Sequence, residues 1–381
     1  MAIYLDHAAT SPLRPEVLDA MLPYLTEHHG NPSSIHASGR RARQGLDEAR
    51  EVIANHIGAK PREIVFTSGG SEADNLAIKG VAWAASAKGR HIITSSVEHK
   101  AVMNTCAILA RQGFQITYLP VDRYGRVDPA DLESTITEHT TLVSIMAASN
   151  EVGTVQPVAE IGAICRERKV VFHVDAVQAA AFGPPTPDAW QATLISLSAH
   201  KLGGPKGIGA LYVRAGTPIV AQMNGGAQER QRRAGTENVA AAVGFAAAMR
   251  LTSDESPPLG LRDRLIAGLT VLPGVALTGH PSERLPNSAS VLVEGIEGGD
   301  LVAALDLEGV EASTGSACTT GSVEPSHVLL AMGIDEARAH GSLRLTLGRE
   351  TTEADIDRTL TVVATCLERL RASAPTMVAS A

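Results

Sequence analysis

Short runs rich in apolar and β-branched residues alternate, through the first two thirds of the chain, with longer stretches whose apolar positions recur at helical spacing. The short runs are Ile64–Phe66, His91–Thr94, Gln115–Leu119, Leu142–Ala147, Val170–Val174, Leu194–Leu197 and Ile208–Val213. Helix-period segments such as Glu72–Ala87 and Val158–Arg168 lie between them. The alternation predicts an α/β sheet with helices on both faces. A Gly-rich loop without a helix joins the last two runs, so the sheet is expected to be mixed. The stretch Ser253-Asp-Glu-Ser-Pro-Pro-Leu-Gly260 has the composition of a boundary. Beyond it the pattern changes to a helix near Leu261–Leu272, strands near Ser288–Val293 and Leu343–Leu347, and a last helix from Glu353 to about Ser373. That reads as a smaller α+β domain. The expected division is a large domain over residues 15–257 and a small one built from residues 1–14 and 258–381.

A chain of 381 residues can bury a sizeable core in two such units. Aromatic residues make up only 3%, so aliphatic side chains must fill that core. The net charge of -8 and the lack of a dense Lys/Arg run argue against a nucleic-acid binder. Arg230, Arg232 and Arg233 form the densest basic cluster. Asp6 and His7 stand where a signal peptide would need an apolar stretch. The longest apolar run, Val239–Met249, is too short to span a bilayer. A cytoplasmic protein without a membrane partner is expected. Cys106, Cys165, Cys318 and Cys366 are scattered, which predicts neither a disulfide framework nor a metal site.

Lysine is the informative residue for chemistry. Lys201 lies in Ser196-Leu-Ser-Ala-His-Lys-Leu-Gly-Gly-Pro-Lys-Gly207, between an apolar strand and a Gly-rich turn. A lysine at a strand end can point into the crevice where open α/β sheets bind ligands, and can there form an imine with a carbonyl cofactor. Taken alone, a solvated loop lysine is the plainer reading. Asp175 ends the apolar run in Val170-Val-Phe-His-Val-Asp-Ala-Val-Gln178. Such a carboxylate is costly unless paired with a cation or donor, and a pyridinium nitrogen is one such partner; a helix cap is the plainer reading. In Phe66-Thr-Ser-Gly-Gly-Ser-Glu-Ala-Asp-Asn75 a strand runs into Gly70-Ser71 at a helix start, where backbone N–H groups and a hydroxyl can hold a phosphate. It is not a Walker loop. His99, in Ser95-Ser-Val-Glu-His-Lys-Ala-Val102, follows a strand and could stack on a flat heteroaromatic ring.

These segments, in this order, resemble the NifS/IscS-type cysteine desulfurases of the class V aminotransferase family, pyridoxal-phosphate (PLP) enzymes of fold type I. The resemblance covers nearly the whole chain. It takes in Tyr4-Leu-Asp-His-Ala-Ala-Thr10, Asn31-Pro-Ser-Ser-Ile-His36, Ser149-Asn-Glu-Val-Gly-Thr-Val-Gln-Pro157, Gly225–Asn238, Ser313-Thr-Gly-Ser-Ala-Cys318 and Leu343-Arg-Leu-Thr-Leu-Gly-Arg349. It implies an aspartate aminotransferase-like large domain that binds PLP and a small domain that carries the cysteine loop. It implies that Lys201 holds PLP covalently, Asp175 pairs with the pyridine nitrogen, Gln178 meets the phenolic oxygen and His99 stacks on the ring and acts in catalysis. Gly70, Ser71, Ser198 and His200 would hold the phosphate, and Thr236 would reach the phosphate of a neighbouring subunit in a homodimer. Asn150 and Arg344 would bind the α-carboxylate of L-cysteine, a task suited to the planar fork of arginine.

Cys318 lies in a small, polar stretch, whereas the other three cysteines lie in apolar, helix-like contexts. A sulfur acceptor needs an accessible thiol, and the resemblance makes Cys318 that acceptor. The implied reaction converts L-cysteine to L-alanine and leaves a persulfide on Cys318, for an acceptor protein in iron–sulfur assembly or thiolation. A class V transaminase would share fold and cofactor but has no use for Cys318. A selenocysteine lyase could retain it.

Overall fold

The computed structural model describes residues 2–252, 259–315 and 325–373. β1 (Ile3–Tyr4) leads to helices α1 (Pro15–Thr26) and α2 (Ala37–Ile57). The central sheet follows as β2 (Ile64–Thr67), β3 (His91–Ser95), β4 (Gln115–Leu119), β5 (Thr140–Met146), β6 (Val171–Asp175), β7 (Leu194–Ser198) and β8 (Gly209–Val213). These are the seven expected runs, shifted by a residue or two at their ends. Helix α3 (Gly70–Ala85) connects β2 to β3, and α4 (Lys100–Arg111) connects β3 to β4.

The sheet order is β2-β8-β7-β6-β5-β3-β4. Neighbours from β7 through β4 are parallel, while β8 runs antiparallel to both β7 and β2. The sheet is therefore mixed, because the short connection after β7, with only a three-residue 3-10 turn at Ala199–Lys201, returns the chain in the opposite direction. Every residue of β5, β7 and β8 is buried, as expected of strands covered on both faces. Alternate side chains serve different cores. Val65, Leu142 and Leu194 meet α3 and α4, whereas Phe66, Val143 and Ile195 meet the cluster containing α2 and the Val239–Thr252 helix. The Val239–Thr252 segment, apolar nearly all round, packs as a buried helix against α1 and α2.

In the C-terminal part, β10 (Ser288–Val293) lies between β9 (Val275–Leu277) and β12 (Ser342–Thr346), antiparallel to both, and β11 (Val310–Glu311) pairs with β1 in parallel. The helices Leu259–Thr270, Gly298–Leu307 and Glu353–Ser373 complete a second core around Leu265, Val291, Leu305, Leu345 and Val363. Ile3 and Leu5 belong to this second core, so the first residues of the chain are packed with its last third. β1, β9 and β11, of two or three residues, are too short to show a hydrophobic period. Among the described residues no helix is long and apolar enough to cross a membrane.

Candidate active site

The carboxyl ends of β2, β3, β5, β6 and β7 point to one edge of the sheet, and a cavity of about 290 Å³ opens there. Ligands of open α/β sheets bind at this edge. Each strand delivers residues through the turn that follows it: Gly70 and Ser71 after β2, His99 after β3, Asn150 and Glu151 after β5, Gln178 just beyond Asp175 on β6, and His200 and Lys201 beyond Ser198 on β7. Ala8 and Ala9 of the N-terminal arm and Gly315, Ser326, His327 and Arg344 of the C-terminal part line the opposite side. Ten of the residues singled out in the sequence thus share one cavity. Thr236 does not: it is exposed and lies outside this chain's cavity. Cys318 falls outside the described residues, but Gly315, three positions before it, is on the cavity wall.

Glycine is required where β2 turns into α3. Gly69 has φ of 156°, and a Cβ on Gly209 of the adjacent strand would lie 2.7 Å from the Gly69 Cα. A Cβ on Gly70 would lie 2.6 Å from Val177 Cγ2. The close approach leaves the first amides of α3 bare toward the cavity, beside the Ser71 and Ser198 hydroxyls.

Lys201 Nζ donates to the carbonyls of Ala8 (2.5 Å) and Ala9 (2.7 Å), and Gln178 Nε2 also donates to Ala8 O (2.9 Å). His99 caps α4, its Nδ1 accepting from the Ala101 N–H at 3.1 Å. Nδ1 is therefore unprotonated in this arrangement. His200 Nδ1 lies 3.2 Å from Thr10 Oγ1. Burial, with Lys201 and Lys206 nearby, lowers its pKa to about 4, so the ring is neutral. Arg344 is buried; Nη1 donates to Asn150 O (3.0 Å) and Nη2 to Asp6 Oδ1 (2.7 Å), while Nε is buried without a hydrogen-bond partner.

A layer of acids and one histidine lies under this cavity. Asp175 Oδ1 accepts from the Val177 N–H at 3.0 Å. Burial raises its pKa, and His99 and Lys201 oppose that rise. Asp74, one helical turn after Ser71, also lines the cavity. Burial and the neighbouring Asp175 push it well above the usual carboxylate range. His173 contacts Asp74 at 3.7 Å and is held by Ser144 Oγ (2.8 Å) and Ser196 Oγ (2.9 Å). Burial lowers His173 to about 3, so the ring is neutral near pH 7 and its contact with Asp74 is not an ion pair. Sequence reasoning gave Asp74, Glu98 and Asp6 no role although all three stand in quoted motifs. The available signal for Asp74 was its i, i+3 relation to Ser71 on one helix face.

The loop 224–238, which carries Thr236, has Glu229, Arg230 and Gln231 in left-handed backbone (φ 46°, 57° and 63°). Such conformations cost about 1–3 kcal/mol each and persist where surroundings over-determine them. Here Glu229 is buried and takes both Arg50 amino groups (2.6 and 2.7 Å) and the Phe66 N–H (2.9 Å). Arg233 pairs with Glu72 in the first turn of α3. The basic cluster is thus tied at one end to the turn that starts the site.

A family model described as aminotransferase class-V matches residues 3–359. The chain belongs to the class V aminotransferase family. Two relatives, each called cysteine desulfurase IscS, come from Methanosarcina thermophila and Dictyoglomus turgidum. They are 52% and 51% identical, over 98% of this chain and 94% and 96% of their own. A solved structure called NifS-like protein superposes with a TM-score of 0.92 at 38% identity, covering 97% of this chain and all of that one. Another, "SspA in complex with cysteine", superposes at 0.82 with 35% identity, over 92% and 100%.

Class V enzymes of this kind are PLP-dependent, so PLP is the cofactor. The cavity suits it. The bare amides at Gly70–Ser71 match a phosphate, Lys201 supplies an amine, and Asp175 supplies a buried acid whose ionised form a pyridinium would favour.

Glu98 reports the electrostatics of this layer through pH. It is fully buried, accepting from Ser95 Oγ (2.6 Å) and Met146 N (3.0 Å), and burial pushes its pKa up to about 8. Its ordinary value is 4.5. Between these limits the folded chain keeps a proton that the unfolded chain releases, so the stabilisation is full below 4.5 and is lost as pH rises toward 8. Glu98→Gln cannot ionise. Its stability relative to wild type is expected to improve from pH 5 to pH 8 by on the order of a few kcal/mol, read from urea unfolding. A difference that does not change with pH would contradict the protonated-acid assignment.

Proposed function

We propose that this chain is a PLP-dependent cysteine desulfurase that converts L-cysteine to L-alanine and carries the sulfur on Cys318. The observation that carries the reading is the convergence of Lys201, Asp175, His99 and Ser71 with a buried Arg344 on one cavity, whose wall includes Gly315 just before Cys318. In this reading Lys201 holds the cofactor through its amine, Asp175 pairs with the pyridine nitrogen, Gln178 donates to the phenolic oxygen and His99 stacks on the ring. Ser71, Ser198, His200 and the Gly70–Ser71 backbone hold the phosphate, with Thr236 contributed to the neighbouring subunit's site.

When bound, PLP supplies an electron sink that makes bonds at the substrate Cα labile. The protein does the rest. Arg344 and Asn150 orient the α-carboxylate, so that the Cα–H faces Lys201. Lys201 Nζ, neutral once released, takes the Cα proton. The Cys318 thiolate attacks the substrate sulfur; an S–S bond forms as the Cβ–S bond breaks, its electron pair staying on Cβ. Protonation there completes alanine, and Cys318 keeps the persulfide. His99 is suited to move a proton through Nε2 because its Nδ1 is engaged by the backbone.

A homodimer belongs to the same proposal. Leu18, Leu22 and Leu25 make an apolar stripe at helical spacing on α1, each about half exposed, and Ile35 nearby is 90% exposed. An apolar stripe of this kind suits burial against a second copy. The acceptor is proposed to be a protein of iron–sulfur assembly or thiolation, and the site of action the cytoplasm. The deciding experiment adds L-cysteine to the purified protein under reductant. Equal amounts of alanine and sulfide are expected, from a species sedimenting near twice 39.8 kDa. Alanine without sulfide, or a cofactor band with neither product, would move the function to another class V reaction.

A further inference from the structure

The backbone of Arg344 is held on both sides. It pairs with Ser290 of β10 and exchanges hydrogen bonds with Ser313 (2.7 and 3.2 Å). The side chain is 1% exposed, so bulk water does not orient it. Two groups do: the Asn150 carbonyl on Nη1 (3.0 Å) and Asp6 Oδ1 on Nη2 (2.7 Å). A carbonyl brings no net charge. Asp6 is the carboxylate that pairs with Arg344 among the described residues. A guanidinium this buried is costly without such a partner.

Asp6 is itself fixed by the strand that bears Arg344. The Thr346 N–H donates to Leu5 O (2.7 Å), the His7 N–H to Thr346 O (3.4 Å) and the Ala8 N–H to Thr346 Oγ1 (2.8 Å). The Tyr4 hydroxyl lies 3.1 Å from Asp6 O and 2.8 Å from Thr10 O, which closes the arm into a turn. The arm then reaches the cofactor side of the cavity. Ala8 O and Ala9 O accept from Lys201 Nζ, and Ser11 donates to His200 O through its N–H (2.9 Å) and its Oγ (2.6 Å). Between Asp6 and Ser11 the chain passes from the guanidinium to the turn that carries Lys201.

We infer that Asp6 is a positioning residue for substrate binding: its carboxylate fixes the plane of the Arg344 guanidinium against Asn150, and the arm it stands on registers that guanidinium with Lys201. The inference rests on Arg344 as the α-carboxylate site and assigns Asp6 no contact with the substrate. Two effects of Asp6 oppose each other. Its negative charge repels an incoming carboxylate, while its bond to Nη2 holds the planar fork that a carboxylate needs. The Asp6 side chain is 20% exposed, so water screens its charge, whereas screening leaves the geometry of the pair unchanged. Positioning therefore wins, and removing Asp6 weakens binding rather than tightening it.

The test measures the Kd of L-alanine for PLP-loaded proteins, from the change in cofactor absorbance, beside KM and kcat for L-cysteine. In Asp6→Ala, Kd and KM are each expected to rise roughly 10-fold, with kcat falling by less than KM rises. Asp6→Asn keeps an oxygen for Nη2 and should lose no more than about 3-fold. In an Arg344→Ala background, Asp6→Ala should add less than about 2-fold to Kd, because the group it positions is gone. Wild-type or tighter binding of L-alanine by Asp6→Ala would overturn the inference. So would an equal loss in Asp6→Asn, or a full 10-fold loss added on top of Arg344→Ala, which would mark a general structural defect. Should Asp6→Ala not hold PLP, Asp6→Ser takes its place, since its hydroxyl ends one bond short of Oδ1. The underlying reading fails separately: wild-type affinity in Arg344→Ala would remove Arg344 from the carboxylate site, whereas weak binding there with normal binding in Asp6→Ala would sink only the role of Asp6.

Discussion

Lys201→Ala is expected to lower alanine formation by about 10³-fold or more, because one amine serves both as the cofactor's anchor and as the base at Cα. The geometry supports the double assignment. Nζ is gathered at the cavity by the Ala8 and Ala9 carbonyls, on the turn directly after β7. Borohydride treatment should add the mass of the cofactor to the wild-type chain and not to the variant. Lys201→Arg should fail equally. A guanidinium keeps the charge but stays protonated and can neither anchor the aldehyde nor accept a proton. Activity in Lys201→Arg would show that charge alone is needed. A borohydride-stable adduct in Lys201→Ala would place the anchor on another lysine.

Cys318→Ala separates cofactor chemistry from sulfur transfer. The variant should keep the PLP absorbance and its response to cysteine, yet lose at least about 10²-fold in sulfide and alanine release. No other described cysteine can substitute. Cys106, Cys165 and Cys366 are buried, and burial pushes the thiols of the first two up to about 12, which leaves almost no thiolate near neutral pH. Wild-type chains treated with cysteine without reductant should gain the mass of one sulfur atom on the peptide containing Cys318. Alanine formed at the wild-type rate by the variant would remove Cys318 from the mechanism and favour a different class V lyase or transaminase.

The central sheet was legible because its strands are short, rich in apolar and β-branched residues and separated by turns, and such runs have few other places to go in a chain of this length. The mixed direction of the sheet was legible for a similar reason: a Gly-rich loop without a helix cannot make a parallel crossover. Individual site residues were less so. Asp175, Lys201, His99 and Ser71 each had a plain structural alternative when taken singly, and only the order of their motifs linked them. Glu98 passed without a role because its raised pKa comes from burial, and Asp6 and Glu151 because each depends on a partner far along the chain. Asp6 meets Arg344 across 338 positions, and Glu151 meets Ser326 across 175. No local period carries information over that distance.

Local patterning therefore determined the strands, the helix start at Gly70–Ser71 and the chemical types available: an amine, an acid, a thiol, a guanidinium. Covalent geometry and solvent exclusion act over a few residues, so these features follow from neighbours in the chain. Tertiary structure decided which of those groups share a cavity and in what protonation state. The raised Asp74 and Glu98 and the lowered His173 arise from burial under the sheet edge, and the bond between Glu151 and Ser326 arises from the packing of the C-terminal part against that edge. Desolvation depends on everything packed around a group, and for these residues what is packed around them comes from distant parts of the chain.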